Sequence, residues 1–335
     1  MLRAPYDIEI EEVEEPRIGS GDALVRIRAT SICGTDVKMY KGEYKVSLPL
    51  IMGHETSGEV VRVGKGVKKI KEGDRVVIDP IFSCGKCYHC VIGRRNLCPH
   101  GGLLGREMNG SYSEYIAISE HHLFKIPRSV SFEEGSIIEG LGTVFHAQRR
   151  VKISLGDSVA ILGQGPSGLL HTRLAKLNGA NPIIATSRSD WKLELARKYG
   201  ADVTINSRRE NPVTRILEHV GSRGVDIAIE SAGVPETITQ SIKVVRPGGT
   251  VLIFGIHAKS INNFDAYPFY FKELSVVGSR AMIESEYEPT IRLVASGAVD
   301  VKPLITHRFP LERIREGFEL VDKSPGSALR VIVAS

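Results

Sequence analysis

The sequence has no block of like charge and no basic stripe interleaved with aromatics, so its net charge of +5 gives no reason to expect nucleic-acid binding. It has no apolar run approaching the roughly 20 residues that a membrane helix requires. The N-terminus, MLRAPYDIEIEE, lacks the apolar core of a secretory signal, which makes the cytoplasm the expected compartment. Cysteine is scarce: the 335 residues contain five, four of them in CGKCYHCVIGRRNLC at positions 84–98. Without a secretory signal, so tight a cluster reads as a metal site rather than a disulfide framework. What remains is an ordinary globular composition, 42% hydrophobic and 25% charged, on a chain long enough for two domains with separate cores. The acidic run EIEEVEE at residues 9–15 alternates as the solvated face of a strand would.

Two rhythms divide the chain. Up to about residue 140, short alternating runs such as ALVRIRAT, GEVVRVGKGV and GDRVVI are separated by glycine turns. This pattern predicts an antiparallel, barrel-like β domain. From about Ser154, strand candidates alternate with helical segments: DSVAILG, then GLLHTRLAKLNGA, PIIATS, WKLELARKYG and onward to ELSVVGS. Six strand candidates separated mainly by helices predict an α/β region built on a doubly wound parallel sheet. From VDVKPLITHRFP onward the sequence is turn-rich again, and by pattern alone this tail could join either half.

LGQGPSG places Gly163, Gly165 and Gly168 in G-x-G-x-x-G spacing, with Pro166 and Ser167 between the last two. The motif lies between a β run and a helix, the context in which such a loop and the following helix N-terminus receive a pyrophosphate. At the end of the next strand, IIATSRSDWK has Ser187 where an NAD enzyme usually carries an acid, followed by Arg188. A carboxylate would repel a 2′-phosphate, whereas a hydroxyl and a guanidinium would bind it, so the charge favours NADP over NAD. Asp190, two residues after Arg188, keeps NAD open.

The fifth cysteine, Cys33, stands in SICGTDVK; His54 and Glu55 follow in IMGHETSGEV, and Glu139 in SIIEGLGTVFHAQ. A thiolate, an imidazole and a carboxylate form a ligand set for a catalytic zinc with one position open. Each residue alone is equally an ordinary core side chain.

Cys33-Gly34-Thr35-Asp36, Gly53-His54-Glu55, the four-cysteine loop and the glycine loop occur in the order seen in zinc-containing medium-chain alcohol dehydrogenases, and KPLITHRFPLE also looks like that family. The resemblance spans essentially the whole chain and is greatest to the sorbitol (polyol) and threonine dehydrogenase branches, which carry Glu where the animal and yeast alcohol dehydrogenases have a third cysteine ligand. It implies a GroES-like β-barrel catalytic domain from residues 1–142 and 280–335, with a Rossmann cofactor domain, residues 143–279, inserted. It implies two zincs per chain. Cys33, His54 and Glu139 would ligate the catalytic one, with Glu55 a further ligand or a neighbour that orients the site. Cys84, Cys87, Cys90 and Cys98 would close a structural zinc, leaving it no position for substrate.

The implied reaction is reversible oxidation of a secondary alcohol or polyol to a ketone, with hydride passing to NADP, in a homotetramer or failing that a dimer. Thr35 would hydrogen-bond the substrate oxygen and start a proton relay, and Thr143 would contact nicotinamide or substrate. Lys38 stands where many members carry His as the relay's outer end, and Gly140 where the related branches usually have Pro. Lys38 leaves three readings: the relay ends in water, the lysine meets an anionic group on the substrate, or it is simply a solvated surface residue. His100, His121, His122, His146, His257 and His307 have no motif context and read as structural or surface residues. Three alternatives stand beside the main reading: an NAD-dependent L-threonine 3-dehydrogenase, a non-catalytic nucleotide-binding or redox-sensing protein, and a carrier with an iron–sulfur cluster on the four-cysteine loop.

Overall fold

The computed structural model describes residues 1–256, 265–324 and 326–335, so His257 lies outside the described residues. These residues form two compact units, Met1–Gly142 with Met282–Ser335, and Thr143–Ala281.

The first unit is organised by one long strand, Asp22–Ser31. It pairs antiparallel with Glu55–Val63, while Tyr115–Ser119 pairs with its first half and Arg330–Ala334 with its last two residues. The sheet of seven strands also contains Arg75–Ile78, Leu123–Lys125 and, parallel to Arg330–Ala334, Ile305–Pro310. Ala23, Val25, Ile27 and Ala29 are wholly buried, as alternation predicts, and the first three pack with Val60, Val76 and Ile78. The ambiguous C-terminal tail therefore supplies two strands to this sheet.

The acidic run does not form the strand expected of it. After the short strand Asp7–Ile8, residues 9–19 carry no ladder. Three of its carboxylates meet arginines instead, Glu9 and Glu11 reaching Arg3 at 3.8 and 2.6 Å and Glu15 reaching Arg62. Alternation alone cannot make a strand where no neighbouring edge supplies its backbone partners.

The second unit is a six-stranded parallel sheet in the order Val203–Asn206, Ile183–Ser187, Val159–Leu162, Val225–Glu230, Val245–Ile253, Ser275–Gly278. Numbered within the unit, this is the 3-2-1-4-5-6 order of the Rossmann fold, so the expected doubly wound sheet is present. All four residues of Val159–Leu162 are fully buried, as a strand covered on both faces must be. Truncating Ile161 to Ala would cost about 2–5 kcal/mol. The strand order reverses between Val159–Leu162 and Val225–Glu230, where folds of this kind bind ligands beyond the carboxyl ends of the strands. Among the described residues no helix is long and apolar enough to cross a membrane.

Candidate metal and cofactor sites

The register of two strands brings the first donors together. Ser31 faces Glu55 across the ladder, so Cys33, two residues beyond one strand, and His54, one residue before the other, emerge side by side. Cys33 caps the helix Gly34–Tyr40, and its backbone N–H donates to the Asp36 carboxylate (Oδ2) at 3.0 Å. Tyr112 Oη donates to the same oxygen at 3.0 Å. The other oxygen, Oδ1, lies 3.2 Å from Nδ1 of His54 as an ion pair, and neither of these two buried atoms makes a hydrogen bond. Asp36 thus occupies the Nδ1 side of the imidazole, which leaves Nε2 as the nitrogen available to a metal.

Donor atoms of Cys33, His54 and Glu55 lie within 4.8 Å of one another. Ligands of a tetrahedral zinc with bonds of about 2.0–2.3 Å stand roughly 3.3–3.8 Å apart, so this set fits such an ion with little movement. Electrostatics agree. Burial disfavours charge on His54, yet Asp36 and Cys33 raise its pKa well above the ordinary range, so the cluster stabilises positive charge.

The carboxylate that joins the cluster at this distance is Glu55 rather than Glu139. Both Glu55 oxygens, however, accept from Nη1 of Arg330, at 2.8 and 2.6 Å, and both residues are buried. Glu139, near the start of the helix Ile138–Val151, is buried too. Burial and the Glu55 charge push its pKa up to about 7, against the pull of His54 and Arg330. Gly140 explains how a guanidinium fits in so crowded a place: a Cβ there would lie 2.4 Å from Arg330 Nη2. The glycine that departs from the branch pattern gives the arginine its space.

The four-cysteine loop is equally well formed. Cys87 Sγ lies 3.5 Å from Cys90 Sγ and 3.8 Å from Cys98 Sγ, near the spacing of about 3.8 Å that thiolates on one tetrahedral zinc adopt. The backbone N–H of Cys87 donates to Cys84 Sγ and that of Cys84 to Cys98 Sγ, each at 3.4 Å. Such donors, those of Lys86 and Cys87 foremost, hold the Cys84 thiol down at about 6, so it is ready to ligate as thiolate.

In the second unit, Gly163 follows Val159–Leu162 with φ +103°, and a Cβ on Gly168 would lie 1.9 Å from the Gly163 carbonyl oxygen. Gly165 caps the helix Pro166–Leu177, with Pro166 and Ser167 in its first turn. Ser187 ends its strand and its Oγ accepts from the Ser189 N–H at 3.2 Å, while Arg188 is exposed. Asp190 is engaged elsewhere: Asn206 Nδ2 donates to it at 2.6 Å and Arg209 Nη2 at 2.7 Å. Thr35 and Lys38 are half-buried on the helix after Cys33, three residues apart and so on one face. Thr143 is half-buried on Ile138–Val151.

Asp36, Tyr112 and Arg330 carry functional weight that motif spacing did not assign. Asp36 was visible as an acid three residues after a helix cap. Arg330 has no local signal, because it reaches Glu55 across 275 residues of sequence.

Comparison with known proteins places these sites in context. The alcohol dehydrogenase GroES-like domain matches residues 19–128, and the zinc-binding dehydrogenase domain matches residues 166–296. The chain is 36% identical to L-threonine 3-dehydrogenase of Pyrococcus abyssi over 94% of this chain and 92% of that protein. It is 35% identical to sorbitol dehydrogenase of Bacillus subtilis over 98% of this chain and 94% of that protein. A Sinorhizobium meliloti 1021 structure described as a zinc-binding dehydrogenase bound to NADP superposes with a TM-score of 0.93 at 34% identity, covering 100% of this chain and 98% of that one.

Proposed function

The chain belongs to the zinc-containing alcohol dehydrogenase family, and on that footing we propose that it oxidises a secondary alcohol or polyol reversibly to the ketone with NADP as hydride acceptor. The observation that carries this is the convergence of Cys33 and His54 on one point, both oriented by Asp36. Zinc held there would supply Lewis acidity to the alcohol oxygen. In this reading Cys33, His54 and Glu139 ligate it, and Arg330 holds Glu55 beside it as a charge that tunes the site. The Thr35 hydroxyl would take the substrate's hydroxyl proton as it gives its own to water, and NADP held by the second unit would supply the hydride acceptor.

Support for NADP comes from Ser187 and Arg188 at the strand end, from the engagement of Asp190 by Asn206 and Arg209, and from the NADP bound in the Sinorhizobium meliloti relative. A second reading, an NAD-dependent L-threonine 3-dehydrogenase, is favoured by the name of the Pyrococcus abyssi relative. One panel decides between them: short secondary alcohols, polyols, sugar phosphates and L-threonine, each assayed with both cofactors. Turnover of L-threonine with NAD alone overturns the first reading. About two zincs per chain are expected, one at the Cys33 site and one on the four-cysteine loop. By resemblance the assembly is a homotetramer, which light scattering tests.

A further inference from the structure

We infer that Arg95 is a positioning residue for the catalytic metal site: carried by the four-cysteine loop, it fixes the segment on which the helix bearing Glu139 rests. The inference rests on the reading that Glu139, with Cys33 and His54, holds a metal.

Arg95 lies between Cys90 and Cys98, in the short turn Arg95–Leu97. Its guanidinium is used on every side. Nη1 donates to Glu284 at 2.6 Å, Nη2 to the Ile81 carbonyl at 3.2 Å, and Nε to Ser83 Oγ at 3.2 Å. Nη2 also stands 3.5 Å from the Asp79 carboxylate, which is 3% exposed. A buried carboxylate needs a cation or donors around it, and Asp79 has three: Arg95, the Ile81 N–H at 2.9 Å and Tyr287 Oη at 3.3 Å. Of these only Arg95 carries charge.

Glu284 and Tyr287 both belong to residues 282–287, where the chain re-enters the first unit. The segment is clamped at both of these points by groups that Arg95 organises. Its first residue, Met282, is packed on the helix Ile138–Val151 at Gly142, where a Cβ would lie 2.1 Å from the Met282 sulfur. Gly142 is one turn beyond Glu139 on that helix, so the two share a face. The Met282 sulfur occupies the room that a side chain at 142 would take, so the segment and the helix are in direct contact there. Glu139, Asp79 and Tyr287 also lie close enough to feel one another's charge. The chain of contacts is thus continuous: thiolate loop, Arg95, residues 282–287, Gly142, Glu139. A loop whose metal does no chemistry holds the cation that keeps a ligand helix in register.

The test uses the full protein with both metal sites loaded, the Cys33 site with cobalt so that its visible spectrum reports ligand geometry. Metal release to 1,10-phenanthroline is then followed at each site. In Arg95→Met, which keeps the stem and removes the fork, release from the Cys33 site should quicken about 10-fold and the cobalt bands should shift, while the four-cysteine site keeps its metal. Arg95→Lys should recover only part of this, since an ammonium cannot span Glu284, Asp79, Ser83 and the Ile81 carbonyl together. Glu284→Gln removes one exposed arm and should fold whatever Arg95→Met does, giving a smaller shift in the same direction. Unchanged release and spectrum in both Arg95→Met and Glu284→Gln overturn the inference. So does equal loss of both metals in step with a lower Tm, which marks a merely structural role. A wild-type protein that binds metal only on the four-cysteine loop overturns the underlying reading instead, and is recognised before any variant is made.

Discussion

The Asp36 carboxylate binds both members of the donor pair, touching His54 Nδ1 at 3.2 Å with one oxygen and the Cys33 backbone N–H at 3.0 Å with the other. Asp36→Asn keeps the volume and loses the charge that favours Nδ1–H. Affinity at the Cys33 site should fall about 10- to 100-fold while the four-cysteine site is unaffected. Equilibrium dialysis against a competing chelator measures both, and an unaltered affinity would remove Asp36 from this role.

The two metal sites should respond oppositely to loss of one thiol. Cys90→Ser should lower Tm or disturb assembly, because it opens a closed tetrahedral site. Cys33→Ser should leave a folded protein without turnover. Thermal melts beside activity assays check this, and the reverse pattern would exchange the two assignments.

Arg330 is the sole cation hydrogen-bonded to the buried Glu55 carboxylate among the described residues. Arg330→Met leaves that carboxylate uncompensated and should destabilise the first unit by about 3–5 kcal/mol, read as a shift in the urea midpoint. Gly140→Ala should act in the same direction, because its Cβ would meet the guanidinium at 2.4 Å. A neutral Gly140→Ala would show that the pair can shift without cost.

His171 gives the second unit a pH dependence. It is fully buried, and burial lowers its pKa from 6.5 to about 3, so the folded state excludes a proton that the unfolded state takes up. Stability due to neutral His171 is therefore whole above pH 6.5. It falls as pH drops from there toward about 3, by up to about 1.4 kcal/mol per unit. Denaturant melts between pH 7 and pH 4 should show a shallower decline in His171→Leu, and parallel slopes would contradict this.

Cofactor choice should turn on Arg188 and its surroundings. Arg188→Glu places an anion where the 2′-phosphate is expected and should lower kcat/KM for NADP at least 10-fold relative to NAD. If the ratio held, the phosphate would have to be bound elsewhere.

Much of this was legible in the sequence because the signals are local. Strand alternation, the glycine loop and the cysteine spacings each arise within a few residues, and each fixes its own geometry. The parallel, doubly wound character of the second sheet was legible from the alternation of strands and helices, whereas its strand order came from the fold. What escaped is non-local. Glu55 joins Cys33 and His54 in the donor cluster, but its arginine partner comes from a strand 275 residues away, and only the folded sheet brings the two together. Gly140 departs from the branch pattern for a reason no local signal carries: Arg330 fills the space its Cβ would take. Asp190 is engaged by Asn206 and Arg209, from the next strand and the loop beyond it, contacts that its place in the sequence does not show. The acidic run failed for the opposite reason: its alternation is local, but a strand needs a neighbour.

The pairing of Glu55 with Arg330 has a consequence for how the protein comes into being. During synthesis the carboxylate leaves the ribosome with the early strands, whereas its cation is translated only after the whole of Thr143–Ala281. Until that last strand is made, the carboxylate stands without the arginine that the folded sheet gives it.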